Sequence, residues 1–288
     1  MLVLSSCGGS SVEVPEIPFE DQNISISEKI KLALDDEYLA SMHLTDEQRS
    51  YVQEFYQNNG YKSLWSNDST MTEEGQRMAN VLARSEQLGL PAGRNNKGNG
   101  TNFVQNEILT TASIAGVLHD LKYGIIDFKE KKRRPVGAIP VNELEAMIEF
   151  DESEDLRKQF LKFGPQDTSY QVLGTGLIKM IDTYPMDTNT FECHTIKKDT
   201  VEAIKRATEA LVSKGYLSEG ADTTAMQTAL KLFQEHNGLK PDGVIGKYTS
   251  KALNESMAHK RDRIILAMDK IRSQDAYLRT RLEKPNES

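Results

Sequence analysis

The sequence predicts a mainly α-helical protein with two folded domains. Apolar residues recur three or four positions apart in most segments, as Tyr51, Val52, Phe55 and Tyr56 do, and this is the spacing of a buried helix face. Glycine or asparagine follows many of these segments, which is typical of helix ends. Almost no segment alternates apolar and polar residues as a strand does. A chain of 288 residues is long enough to form two hydrophobic cores.

The first domain is predicted at residues 28–184 and is helical. Ser27 is predicted to cap its first helix, an extended segment is predicted at 61–65, and a loop rich in glycine and asparagine is predicted at 92–101. The apolar face of the first helix is formed by Ile30, Leu34 and Tyr38. The later helical segments are 46–56, 72–88, 108–121, 141–150, 156–163 and 170–181.

A smaller three-helix domain is predicted at 197–258. Its first helix stops at Gly215, its second stops at Gly238, and a turn at Asp242 and Gly243 precedes the third. The apolar face of the first helix is predicted to be Val201, Ile204, Ala207, Thr208 and Leu211, and that of the second Met226, Ala229, Leu230 and Phe233. Residues 259–288 are predicted to form a charged connector helix and tail, with Ile264, Leu266, Met268 and Ile271 as its apolar residues.

Composition and charge argue against a membrane-spanning protein and against a nucleic-acid-binding protein. No run of eighteen apolar residues occurs, so a helix that spans a membrane is excluded. The net charge of -8 argues against a nucleic-acid partner. One basic run is interpreted as a solvated loop, with a polyanion site as the less favoured alternative; its members are Lys129, Lys131, Lys132, Arg133 and Arg134.

The start of the chain carries a possible lipidation site at Cys7. An aliphatic residue and two small residues precede this cysteine, and the pattern resembles a bacterial lipoprotein signal, although only six residues come before it. The resemblance implies a lipid on Cys7, a flexible tether at 8–27, and a location on the periplasmic side of the bacterial cell envelope. Cys193 would then have no partner for a disulfide within one chain.

The segment 226–253 carries the densest motif in the sequence. It reads Phe-Gln, then Asn-Gly-Leu, then Asp-Gly-x-x-Gly and a threonine, and each of these residues also suits a small helical fold with tight turns. The segment resembles the peptidoglycan-binding module of bacterial cell-wall enzymes. That resemblance implies a shallow groove beside the Asp-Gly turn that binds a cell-wall glycopeptide. The contacts that it implies are Gln234, His236, Asp242, Gly243 and Thr249. For Asp242 and Gly246, a purely structural role is the alternative.

The first domain has a second resemblance, carried by the run 55–65, by Leu88-Gly89-Leu90-Pro91 and by the helix that ends near Gly124. These features are similar to the scaffold domain of large L,D-transpeptidases, which are built from a scaffold, a peptidoglycan-binding module and a catalytic module. The helix around 263–272 resembles the connector that leads to the catalytic module. The sequence ends at Ser288, about where that module is expected to begin.

No catalytic, metal or cofactor site is expected in this chain. The transpeptidase family uses a cysteine in a Ser-x-Gly-Cys-Arg context with a histidine upstream, whereas Cys193 lies in Phe-Glu-Cys-His. A structural role is therefore favoured for Cys193. The histidines show no metal-ligand spacing, and no glycine-rich phosphate loop is present; the histidines are His43, His119, His194, His236 and His259.

These observations predict a peptidoglycan-binding envelope lipoprotein that is the non-catalytic part of an L,D-transpeptidase-like protein. Its expected partners are peptidoglycan and, through the lipid on Cys7, a membrane; nucleic acid is not expected, and the oligomeric state is left open. Two alternatives remain. The chain is a fragment of an active L,D-transpeptidase that crosslinks stem peptides, or its scaffold domain docks a partner protein and the small module is a spacer.

Overall fold

A computed structural model describes residues 24–67, 70–97, 100–147, 151 and 153–283. The predicted lipidation site Cys7 and most of the predicted tether 8–27 lie outside the described residues. The same holds for the end of the helix predicted at 141–150 and for the last residues of the predicted tail.

The described residues confirm the mainly α-helical fold. Two short antiparallel strands, β1 (Ile126–Asp127) and β2 (Lys132–Arg133), pair Ile126 with Arg133. The helices are α1 (Ile26–Ala33), α2 (Asp36–Ser41), α3 (Asp46–Asn58), α4 (Glu73–Ala83), α5 (Phe103–Tyr123), α6 (Val141–Met147), α7 (Leu156–Leu161), α8 (Thr168–Thr183), α9 (Thr200–Ser213), α10 (Thr223–His236), α11 (Lys247–Asn254) and α12 (Met257–Glu283), with a 3₁₀ helix at Ser85–Leu88.

The N-terminal helices begin at capping residues, but the prediction of Ser27 as the first cap is wrong. Ser25 caps α1, because its hydroxyl accepts the backbone N–H of Glu28 at 3.3 Å and Glu28 accepts the backbone N–H of Ser25 at 3.0 Å. Asp35 then caps α2. Tyr38 consequently belongs to a second helix rather than to the first.

Two further segments of the N-terminal half differ from their predictions. The helix predicted over 72–88 is divided into α4 and the 3₁₀ helix, because Arg84 leaves the helical region at φ -117° and ψ 42°. The segment predicted as extended at 61–65 departs from that conformation at Tyr61, which has φ 60° and follows a helix end at Gly60 with φ 61°. It also bends at Leu64 and Trp65.

Among the described residues, the first compact unit falls within Met1–Ala83, Asn95–His119 and Val136–Phe150. Its core contains the predicted face of α3, since Tyr51, Val52, Phe55 and Tyr56 are all buried. A buried carboxylate, Glu107 on α5, lies beside this core. It accepts the backbone N–H groups of three consecutive residues at 2.6 to 2.9 Å, namely Leu64, Trp65 and Ser66. One side chain thereby fixes the segment between α3 and α4.

Among the described residues, the second compact unit falls within Arg84–Arg94, Asp120–Pro135 and Asp151–Ser288. Within it, α8 packs on α12 around an apolar cluster that consists of Leu161, Tyr170, Leu177, Ile178, Ile265 and Met268. Ile265 is buried and the predicted core residue Leu266 is 51% exposed. The fully buried Arg272 donates to the carbonyl oxygens of Leu88 and Gly89 at 2.8 and 2.7 Å, which ties α12 to the end of the 3₁₀ helix.

Helices α9, α10 and α11 form the small three-helix module of this second unit. The predicted face of α10 is buried, but the predicted face of α9 is partly wrong, since Val201 is 79% exposed and Ile204 is 40% exposed. The buried stripe of α9 is formed by Ala203, Ala207, Ala210 and Leu211. Small side chains allow the helices to approach closely, so α9 buries its alanines rather than its larger β-branched residues.

Candidate functional site

The turn between α10 and α11 is organised by Gln234, which lies on α10 and is buried. Its Nε2 donates to Oδ1 of Asp242 at 3.1 Å, to the carbonyl oxygen of Val244 at 3.0 Å and to Oγ1 of Thr249 at 3.1 Å. Its Oε1 accepts the backbone N–H of Gly243 at 2.8 Å. The amide therefore uses both its donor and its acceptor capacity inside the protein.

Asp242 and Gly243 complete this turn. The exposed carboxylate of Asp242 accepts the backbone N–H of Val244 at 2.9 Å, and this bond is the main reason that the pKa of Asp242 lies below its usual value. Gly243 has φ 73°, and a Cβ at this position would lie 2.6 Å from Oε1 of Gln227. Both the backbone conformation and the space require glycine here.

Four of the five predicted contacts thus meet in one hydrogen-bonded network, namely Gln234, Asp242, Gly243 and Thr249. The network holds the turn between two helices of the module. Within this network Gln234 and Thr249 are buried, Gly243 is half-buried and Asp242 is exposed. Their role as ligand contacts stays a prediction, while their role in the turn is a property of the fold.

His236 lies apart from this network, at the exposed end of α10. Its Nδ1 is 2.8 Å from the hydroxyl of Tyr184 and 3.3 Å from that of Tyr216. The rings of the two tyrosines stack with their centroids 4.8 Å apart. Burial raises the pKa of Tyr216, so its hydroxyl stays protonated and available for hydrogen bonding. The two tyrosines hold the imidazole in one orientation.

A groove of about 910 Å³ runs beside His236, between α11 and the first half of α12; we call it the α11–α12 groove. It is open to solvent and large enough for a segment of a glycopeptide. Its lining contains both polar and apolar side chains. The lining residues used below are His236, Asn237, Tyr248, Lys251, Glu255, His259, Lys260 and Arg263.

Positive charge predominates in the α11–α12 groove. Lys251, Lys260 and Arg263 line it, and Glu255 is its one lining carboxylate among the described residues. Glu255 is paired with Arg263 at 2.6 Å. Nζ of Lys260 donates to Oδ1 of Asn237 at 2.7 Å, and burial lowers the pKa of Lys260. Such a groove favours a ligand that carries carboxylates.

Tyr248 supplies an exposed aromatic surface to the groove. It is 71% exposed on the first turn of α11 and precedes the buried Thr249. An aromatic face in a polar groove is suited to packing against the apolar face of a sugar ring. The sequence interpretation missed Tyr248, Lys260 and Arg263. Only the position of Tyr248 inside the Asp-Gly-x-x-Gly-x-x-Thr motif gave a local signal for any of them.

Cys193 belongs to the buried apolar core of the module. It is 3% exposed, and its backbone N–H donates to Oδ1 of Asn254 at 2.7 Å. Burial raises the pKa of its thiol to about 11. A buried thiol with a raised pKa carries little of the thiolate that a nucleophile requires.

The Cys193 thiol is expected to react slowly with Ellman's reagent in the native protein. With a pKa of about 11 instead of about 8.5, the thiolate fraction at neutral to mildly basic pH falls by roughly two orders of magnitude. The measurement compares native and urea-unfolded protein that carries Cys7→Ser, so that only Cys193 reacts. A native rate within about threefold of the unfolded rate would show an accessible, activated thiol instead.

No group of three or more histidine, cysteine, aspartate or glutamate side chains in the described ranges is arranged to hold a metal ion. None of the helices in those ranges combines the length and apolar character needed to cross a bilayer.

Comparison with known families gives two matches along the chain. Residues 50–177 match the family described as a scaffold domain, and residues 199–253 match the family described as a peptidoglycan binding domain. Comparison with curated proteins gives no significant match. The second match covers α9, α10 and α11 with the Asp-Gly turn. The two matches support an L,D-transpeptidase-like scaffold architecture, with peptidoglycan as the partner of the module.

Proposed function

We propose that this protein binds peptidoglycan through the α11–α12 groove and the adjoining end of α10. The observation that carries the proposal is an open groove with an excess of positive charge, lined on one side by residues of the module that matches the peptidoglycan binding family, such as His236, Tyr248 and Lys251, and on the other by α12. Stem peptides carry carboxylates and amides, and the glycan carries sugar rings. Lysine, arginine and asparagine side chains can donate hydrogen bonds to the carboxylates and amides, and Tyr248 can pack against a sugar ring.

The proposed wider role is that of the non-catalytic scaffold and cell-wall-binding part of an L,D-transpeptidase-like envelope lipoprotein. The order of the two family matches supports the transpeptidase-like part of this proposal. The lipid on Cys7 and the periplasmic location rest on the sequence pattern alone. The burial of Cys193 supports a binding role rather than a catalytic one for the described residues.

Tyr248→Ala combined with Lys260→Ala is expected to weaken binding to purified sacculi by about tenfold or more, because the groove loses its exposed ring and one half-buried cation. The measurement is co-sedimentation with sacculi at near-physiological salt over a range of protein concentrations. Tyr277→Ala is the matched control, since Tyr277 is an exposed tyrosine on α12 that does not line the groove. Its binding is expected to be unchanged.

The same experiment separates the alternatives. If the unaltered protein does not sediment with sacculi, the binding proposal is wrong and a spacer or docking role is favoured. If the double variant binds as well as the unaltered protein, the ligand lies elsewhere on the module. The muropeptide profile of the recovered sacculi is expected to be unchanged, and new crosslinks between stem peptides would instead assign transpeptidase activity to the chain.

A further inference from the structure

The basic run of the sequence lies on the β1–β2 hairpin, where it forms an exposed surface together with the end of α12. Lys129, Lys131, Lys132 and Arg133 are exposed, and Arg134 is half-buried with an ion pair of 3.1 Å to Asp127. We call residues 122–134, which contain the hairpin, together with residues 273–281 the basic hairpin surface. It is separate from the α11–α12 groove, with which it shares no lining residue.

The hairpin is fixed to α12 rather than free in solvent. The carboxylate of Asp269 accepts the backbone N–H groups of Ile125 and Ile126 at 2.6 and 3.0 Å. At the other end of the contact, a guanidinium nitrogen of Arg279 donates to the carbonyl oxygen of Lys122 at 2.5 Å. Charges on a fixed element are presented to a partner with less loss of conformational entropy than charges on a flexible tail.

The charge of this surface is opposite in sign to that of the whole protein. Segments 122–134 and 273–281 together carry eight basic and three acidic residues, an excess of five positive charges, whereas the chain as a whole has a net charge of -8. The acidic residues are Asp127, Glu130 and Asp275. Two of them are already paired, Asp127 with Arg134 and Asp275 with Arg279.

Apolar side chains are exposed within the same surface. Tyr277 is 40% exposed and Leu278 is 59% exposed, both on α12. Nζ of Lys129 lies 5.1 Å from the centroid of the Tyr277 ring. A cleft of about 510 Å³ separates the hairpin from α12 beside this ring. Basic residues next to an exposed aromatic and an exposed aliphatic side chain are typical of surfaces that bind at a lipid–water interface.

The tip of the hairpin is at Lys131, which has φ 53°, a left-handed conformation in which glycine or asparagine is the usual residue. A lysine in this conformation is strained, and it lies exposed next to Lys132.

We propose that the basic hairpin surface docks on an anionic phospholipid membrane. Lysine and arginine side chains contact headgroup phosphates, and Tyr277 and Leu278 enter the interfacial layer. A soluble polyanion would match the charges but would leave both apolar side chains in water, so the lipid surface accounts for more of the observations. The proposal is independent of a lipid on Cys7 and of peptidoglycan binding.

The test is sedimentation of the full chain with vesicles, using protein that carries Cys7→Ser so that no acyl chain contributes. The vesicles are phosphatidylcholine alone, or phosphatidylcholine with about one-third phosphatidylglycerol. Strong binding is expected to the anionic vesicles only. The quadruple variant Lys129→Ser, Lys131→Ser, Lys132→Ser, Arg133→Ser is expected to bind them about 100-fold more weakly, and Leu278→Ser about threefold more weakly.

The matched control removes four exposed lysines from elsewhere in the same unit: Lys197→Ser, Lys198→Ser, Lys205→Ser and Lys231→Ser. Both quadruple variants lower the net charge by four, so an equal loss of binding in both would show a net-charge effect and overturn the proposal. Equal binding to neutral and anionic vesicles would also overturn it. Binding of soluble polyphosphate without sedimentation on either vesicle would assign the surface to a free polyanion instead.

Discussion

Replacement of Glu107 by alanine is expected to lower the free energy of unfolding by about 3–5 kcal/mol. The carboxylate is fully buried and accepts the backbone N–H groups of Leu64, Trp65 and Ser66. The hydroxyls of Ser63 and Tyr56 also donate to it, each at 3.0 Å. Alanine would leave the three backbone N–H groups without this acceptor in a region that water does not reach, and it would also leave a cavity.

Urea unfolding followed by circular dichroism and by fluorescence measures this loss. Trp65 is the only tryptophan in the chain, and its Nε1 donates to Oγ1 of Thr111 at 2.8 Å, so its emission reports on the affected segment. Glu54→Ala is the control, because Glu54 is exposed on α3 and its loss is expected to change stability by no more than about 0.5 kcal/mol.

Glu107→Gln distinguishes the charge of the side chain from its shape. Burial raises the pKa of Glu107, and the donated hydrogen bonds offset this increase in part. Glutamine keeps one acceptor oxygen but turns an NH₂ group toward backbone donors, so a loss between those of the control and of alanine is expected. A loss below about 1 kcal/mol for Glu107→Ala would show that water replaces the carboxylate, and the segment would then not depend on Glu107.

The helices of the fold were predictable where burial follows local hydrophobicity. Tyr51, Val52, Phe55 and Tyr56 have the spacing of one helix face, and all four are buried. The same reasoning failed on α9, where the module buries a stripe of alanines and exposes Val201. Hydrophobicity ranks valine above alanine, but close approach of helices selects the smaller side chain, and this choice depends on a neighbour that the local sequence does not contain.

Buried charges were not predictable from the sequence. Nothing in the local sequence distinguishes Glu107 and Arg272 from the charged residues that lie on the surface. Each is buried only because groups far away in sequence supply its hydrogen-bond partners. The turn at Asp242 and Gly243 was predictable, since its chemistry is local. The α11–α12 groove was not, because Tyr248 and Arg263 come together only after two helices have packed.

Gln234→Ala is expected to destabilise the module by about 2–4 kcal/mol, because one buried amide provides four hydrogen bonds to the turn. The measurement is hydrogen exchange of the backbone amides of Gly243 and Val244. Gly243 donates directly to Gln234, and Val244 donates to Asp242, which Gln234 also contacts. Protection at these amides is expected to fall by roughly 30-fold to 1000-fold. Glu235→Ala is the control, since Glu235 is exposed on the same helix.

A role in the turn and a role in ligand contact give opposite results for Gln234 and His236. If Gln234 acts through the turn, Gln234→Ala loses amide protection, and its binding to sacculi weakens only in proportion to that loss. His236 is exposed and lines the groove, so His236→Ala is expected to weaken binding by about threefold to tenfold while the protection of Gly243 is unchanged. The reverse result would be that Gln234→Ala loses binding to sacculi while the Gly243 amide keeps its full protection, and that His236→Ala still binds. It would show that the ligand binds at the Asp-Gly turn. The variant that loses binding to sacculi without losing amide protection therefore identifies where the ligand binds.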